Sequence, residues 1–152
     1  MGNYSAVWRS GSGAQHWIVN YSFDDLKSAD DTHFANGLRL KVLRSPGDGS
    51  YLAVWRPGSG GQHWWAGISH DEWHPIDTEM FNKGYRIVSL DYRGDNISVV
   101  YRPGSGAQYV HGGITFDQFK QLDDQYFSEG LRLVTMMRDY NGWNEFMAVW
   151  NN

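Results

Sequence analysis

The chain has 152 residues, with 8 Trp, 9 Tyr, 7 Phe, no Cys and a formal net charge of −4. That length suffices for one domain with a real core. The missing thiols exclude disulfides and thiolate metal sites, and an interspersed, net acidic charge argues against a general nucleic-acid binder. No stretch approaches the ~20 apolar residues of a membrane span, and no basic-then-apolar signal peptide is visible at "MGNYSAVWRS". On these grounds localisation stays open between a cytoplasmic protein and one released non-classically.

Three near-copies of one string organise the chain: "AVWRSGSGAQHWI" from Ala6, "AVWRPGSGGQHWW" from Ala53 and "VVYRPGSGAQYVH" from Val99. Trp8, Trp55 and Tyr101 recur at spacings of 47 and 46, as do Gly37, Gly84 and Gly130. Such self-similarity marks a repeat architecture. A fourth, partial copy, "FMAVWNN", closes the sequence. The reading is a single domain, 1–152, with repeats 4–50, 51–96 and 97–140 and a closing strand 145–150.

Along each repeat the pattern is strand, turn, strand, helix, strand. A short β-branched and aromatic strand such as "YLAVWR" leads into Gly-Ser-Gly turn chemistry. A second strand follows ("QHWWAGI"), then a helix start at Ser22, Ser69 or Thr115, with Asp25, Glu72 or Gln118 three residues on as a capping box. The helix has an apolar stripe at helical spacing, such as Phe119, Leu122, Tyr126 and Phe127. Pro75 predicts a break in the second helix, with a short turn before it and a longer piece after. The repeated glycine ends each helix in a left-handed conformation. An alternating third strand comes next, and "SPGDGS", "RGDN" and "DYNG" read as hairpins to the next first strand.

The fold expected is α+β and β-rich: three strand–strand–helix–strand repeats with pseudo-threefold symmetry, forming a toroid or trefoil-like body. Each sheet is expected to be a meander of third strand, next first strand and next second strand. The closing strand supplies the last meander, so the terminal strands would complete a shared sheet. An unpaired terminal strand would instead seek a second protomer, giving a homodimer.

No residue pattern asks for catalysis. Ser12, Ser59 and Ser105 lack a nucleophile-elbow context. The glycines lack a Walker lysine and a dinucleotide fingerprint. Asp30, Asp77 and Asp123, with Arg39, Arg86 and Arg132, read as structural ion pairs tying helix to strand. The Arg93-Gly94-Asp95 tripeptide reads as turn chemistry. No metal site, cofactor or catalytic residue is expected.

The repeated turn does suggest binding. Trp8, Trp55 and Tyr101 precede Arg9, Arg56 and Arg102; Gln15, Gln62 and Gln108 precede His16, His63 and Tyr109. Trp17 and Trp64 follow in the first two copies. Neighbours on a strand face opposite sides, so one set packs inward while the other lies beside the turn. An aromatic ring recurring with a long cation and an amide suits a sugar, which offers an apolar face and hydroxyls. These fourteen residues are the candidate ligand-binding set.

The run "AVWRPGSGGQHWW", followed by a capped helix and "FNKGYRIV" or "FSEGLRLV", resembles a bacterial tandem-repeat family over almost the whole chain. Its repeats also occur joined to β-lactamase-like serine hydrolases, including polyglycine hydrolases. The stand-alone triple repeat is similar to a Streptomyces hemagglutinin type that binds L-rhamnose and D-galactose. The resemblance implies a multivalent lectin without enzymatic activity; the alternative is a structural or protein-binding module of the hydrolase-linked kind. The third repeat departs from the pattern at Tyr101, Tyr109, Val110 and His111, so its site should differ in affinity.

Overall fold

A computed structural model describes residues 4–138 and 145–152. In chain order the elements are β1 (His16–Tyr21), α1 (Phe23–Ala35), β2 (Leu38–Arg44), β3 (Tyr51–Pro57), β4 (His63–Ile68) and α2 (His70–Asn82). They continue with β5 (Tyr85–Tyr92), β6 (Ile97–Pro103), β7 (Gln108–Thr115), α3 (Phe116–Ser128), β8 (Arg132–Arg138) and β9 (Glu145–Asn151). The chain is one α+β domain of three repeated units. Its three sheets have the orders β1-β3-β2, β4-β6-β5 and β7-β9-β8, every pairing antiparallel.

The helices form where their caps and stripes require. Ser22, Ser69 and Thr115 each accept the N–H three residues on, and the reciprocal half of the capping box is present in α2 and α3. In α1 the N3 residue is Asp25, one carbon shorter than Glu, and its carboxylate instead takes the Ser22 hydroxyl at 2.7 Å. Gly37, Gly84 and Gly130 follow the helix ends at φ 78°, 81° and 92°, a region that costs any residue with a Cβ. Pro75 does not divide α2: one 13-residue helix runs from His70 to Asn82, the same length as α1 and α3. Proline removes a single N–H, and the cap before it with Trp73 and Met80 in the core around it hold the helix through that gap.

The strand arrangement differs from the expected meander. The third strand does pair with the next first strand, β2 with β3 and β5 with β6. The other neighbour is the second strand of the same unit, not of the next. Each unit is therefore a split β-α-β: β1 and β2 run parallel, and β3, borrowed from the following unit, fills the gap between them. The borrowed strand is flanked on both edges, and β6 is covered on both faces as well, with Ile97 to Tyr101 all buried. The Gly-Ser-Gly turns consequently carry the chain from the centre of one sheet to the edge of the next. Hairpins at 45–50 and at 93–96 join β2 to β3 and β5 to β6, the second closed by Arg93 N to Asn96 O at 3.1 Å. The turn expected at "DYNG" lies outside the described residues.

Two of the three core clusters reach from one sheet to the next. Val100 of β6 packs with Leu40 and Leu43 of the first unit, and Met147 and Val149 of β9 pack with Ile87 and Leu90 of the second. Strand β2 contacts β5, and β5 contacts β8. Among the described residues, the extensive contacts join the first sheet to the second and the second to the third, so the sheets follow in series rather than closing into a toroid.

At the ends, β9 fills the centre of the last sheet, as the repeated Ala-Val-Trp implies. The N-terminal copy does not join it. Residues 4–15 form no strand, and Trp8 is 79% exposed while its counterparts Trp55, Tyr101 and Trp150 are fully buried. The reason is topological: the described residues form three sheets whose central places are filled by β3, β6 and β9, which leaves no open centre for a fourth copy.

Candidate functional site

The sites grow from the aspartate in the middle of each helix. Asp30 is buried and accepts from Trp55 Nε1 at 2.8 Å, Gln62 Nε2 at 2.9 Å and Trp64 Nε1 at 2.7 Å. Gln62 turns its oxygen to the N–H of Leu40 at 2.6 Å. A helix, its own sheet and the next unit are thus pinned at one carboxylate. Asp77 does the same with Tyr101 Oη at 2.9 Å and Gln108 Nε2 at 3.5 Å, and Gln108 accepts from Ile87 N at 2.7 Å. The ion pairs expected between these aspartates and Arg39, Arg86 and Arg132 do not form among the described residues. Each guanidinium stacks instead on a helix-end ring, Phe34 at 3.6 Å, Phe81 at 3.8 Å or Phe127 at 4.0 Å, and donates to helix-end carbonyls.

A cleft lies between α1 and β4, and another between α2 and β7. The first, of about 440 Å³, is lined by Phe23, Lys27, Asp30 and Asp31 of α1, by Gln62 and by His63 to Ala66 of β4. The second, of about 670 Å³, lies between α2 and β7. Its helix side is His70, Trp73, His74, Asp77, Thr78, Phe81 and Asn82, a stripe at helical spacing. Its strand side runs from Gln108 to Gly113, with Tyr92 and Met147 at the base.

One of the differences between the two clefts bears directly on the aspartate. Trp64, which bonds Asp30 in the first, is replaced by Val110 in the second. With no indole at that position, Asp77 Oδ2 has no hydrogen-bond donor among the described residues. Burial, the largest influence, raises the Asp77 pKa above the ordinary carboxylate value, against the opposing bond from Tyr101 and the nearby His74, Gln108 and Arg86. The Tyr101 hydroxyl is pushed up in turn, by burial first and then by Asp77, so it stays a donor to that carboxylate and accepts from Trp73 Nε1 at 2.9 Å. Tyr109 lies flat on Tyr126, centroids 4.5 Å apart, and His111 Nε2 is 2.7 Å from the Tyr126 hydroxyl. Burial lowers the His111 pKa, which favours the neutral ring.

The sequence-derived set divides sharply on this geometry. Gln62, His63 and Trp64 line the first cleft; Gln108 and Tyr109 line the second. Trp55 and Tyr101 are fully buried core rings, so the expected stacking of a sugar on them is not met by their position. Arg102 donates to the turn carbonyls of Gly61 at 3.1 Å and Ser59 at 2.6 Å, and Arg56 lies against Gly11 of the first turn. These arginines brace the Gly-Ser-Gly turns and line neither cleft. Trp8, Arg9, Gln15 and Trp17 lie exposed on the N-terminal side, and His16 packs on His33 at 4.6 Å. Three pockets beside three turns were expected. The clefts lie instead at the two inner junctions, and α3 has no following second strand among the described residues to build another.

The residues that the sequence did not single out are those of the helix face: Lys27 and Asp31 in α1, and His70, His74, Thr78 and Asn82 in α2. Their signal was the spacing 70, 74, 77, 81 around a repeated aspartate. No family model, curated protein or solved structure matches the chain.

Proposed function

We propose that the clefts between successive units bind carbohydrate, without catalysis, and that the α2–β7 cleft is the principal site. The observation that carries this reading is the replacement of Trp64 by Val110, which leaves Asp77 Oδ2 facing the larger cleft with no side-chain donor among the described residues. A carboxylate oxygen of that kind accepts from sugar hydroxyls. Asn82 adds an amide, and the half-exposed Tyr109 ring adds an apolar face. The buried Asp30 has its oxygens taken up by three donors, so the first cleft is the weaker site. Likeness to rhamnose- and galactose-binding repeats supports the same reading from the sequence side, and two clefts on one body favour clustered glycans through avidity.

Calorimetric titration with monosaccharides, rhamnose and galactose first, tests it. Asp77→Asn retains an acceptor for Tyr101 and loses the charged oxygen. Binding should weaken by about 1–3 kcal/mol, the worth of a hydrogen bond to a charged group. Unchanged affinity in that variant, or no heat with any sugar on a glycan array, overturns the assignment.

A further inference from the structure

The two inner junctions use the same contacts. An arginine on the third strand donates through Nε to the next turn: Arg39 to Gly60 O and Arg86 to Gly106 O, 2.9 Å each. The next glutamine then bridges the following backbone N–H and the helix aspartate. Leu40 and Ile87, which follow those arginines, have no exposed surface.

The two ends of the molecule carry the separated halves of one more such junction. At the tail, among the described residues, Arg132 donates only to Phe127 O and Leu131 O, through Nη1. Asp123 accepts from Trp150 alone among the described residues. Leu133 and Met136 are 39% and 38% exposed, whereas their counterparts Leu40, Ile87, Leu43 and Leu90 are fully buried. At the head, Gly13, Gln15 and Trp17 correspond to Gly60, Gln62 and Trp64. All three are exposed, Trp17 at 65%, and the Gln15 and Trp17 side chains have no hydrogen-bond partner among the described residues.

We propose that the head of one copy of this chain packs on the tail of a second copy and rebuilds the inner junction between them. Gln15 then joins Leu133 N to Asp123, Trp17 Nε1 takes the other Asp123 oxygen, Arg132 Nε donates to the Gly13 carbonyl, and Leu133 and Met136 are covered. Strand β9 already fills the central place in its sheet, so residues 4–10 stay outside the joint. The contact is heterologous, so it extends head to tail unless its rotation closes a ring. It also creates a further cleft, between α3 of one copy and β1 of the next. That this cleft takes sugar rests on the carbohydrate reading; the joint does not.

Sedimentation velocity without sugar, over a range of protein concentration, tests the joint. The wild-type mass should rise above the 17.4 kDa of one chain. A head variant (Gln15→Ala with Trp17→Ala) and a tail variant (Leu133→Glu) should each remain at one chain mass. Mixed, they should form 1:1 dimers and nothing larger, because each retains the half that the other lacks. Melting curves establish that the variants fold, and Asp123→Asn, which keeps an acceptor for Trp150, serves as a second tail variant. A wild-type protein that stays at one chain mass, variants that assemble like wild type, or a mixture without dimers overturns the proposal. Sugar titration of the monomeric variants reads the inner clefts separately, so either idea can fail alone.

Discussion

Asp30 and Asp77 occupy equivalent helical positions and meet different neighbours. Asp30 satisfies three side-chain donors, two of them indoles. Asp30→Ala would strand those donors, each at about 1–3 kcal/mol when buried. A loss of roughly 3 kcal/mol or more is expected in urea unfolding, since Trp55 has no route to water. Asp77 is only partly buried and holds fewer donors. Its carboxyl is raised by burial, so the folded protein retains this proton at a pH where the unfolded chain has released it. Its contribution to stability is therefore greatest in acid and falls as pH rises from the ordinary carboxylate value through the raised one. Asp77→Asn should flatten that slope, and melting curves across the window check it. Arg56→Lys, by contrast, should leave sugar binding unchanged, because this guanidinium lies against a turn glycine outside both clefts; a tenfold loss in titration would return it to the site.

At the scale of elements, the second strand of every unit contains a register shift against its partner, between Ile18 and Tyr21, Trp65 and Ile68, and His111 and Ile114. The shift holds one residue at positive φ: Asn20 at 59°, Gly67 at 70° and Gly113 at 64°. Asparagine tolerates this region better than other residues with a side chain. The bulge re-aims the end of β4 and β7, the strands that wall the clefts. Gly67→Ala should cost about 1–2 kcal/mol, and a Cβ there would also meet Tyr51 Oη at 3.0 Å. Asn20→Gly should stay within about 0.5 kcal/mol of wild type. Denaturant midpoints of the two variants give the comparison, and an equal effect of both would contradict the equivalence of these positions.

Over the whole molecule, stability is distributed as in a short serial array, where each unit rests on its neighbours. Interior junctions are sealed and the terminal one is open. Ile87→Ala should therefore cost about 2–5 kcal/mol, as a fully buried aliphatic does. Leu133→Ala, at the equivalent position of the last unit, should cost about 1 kcal/mol or less in the single chain. Thermal unfolding of both variants at low protein concentration tests this; equal losses would mean that the last sheet is covered in solution.

Most local features were legible in the residues themselves. The repeat spacings, the Ser and Thr caps, the helix-ending glycines and the hairpins at 45–50 and 93–96 depend on contacts within a few residues, which composition and spacing determine. The α+β class followed from their order. What the string could not reveal was partner choice over tens of residues. A first strand pairs with the previous unit and not its own, because the gap between two parallel strands must be filled from outside. That exchange buries Trp55, Tyr101 and Trp150, leaves Trp8 in solvent, and moves the candidate site from the turns to the helix faces. Ala6-Val7-Trp8 and Ala148-Val149-Trp150 are the same three residues, one exposed and one at the centre of a sheet. Only tertiary structure separates them, since burial depends on whether a sheet is there to receive the strand.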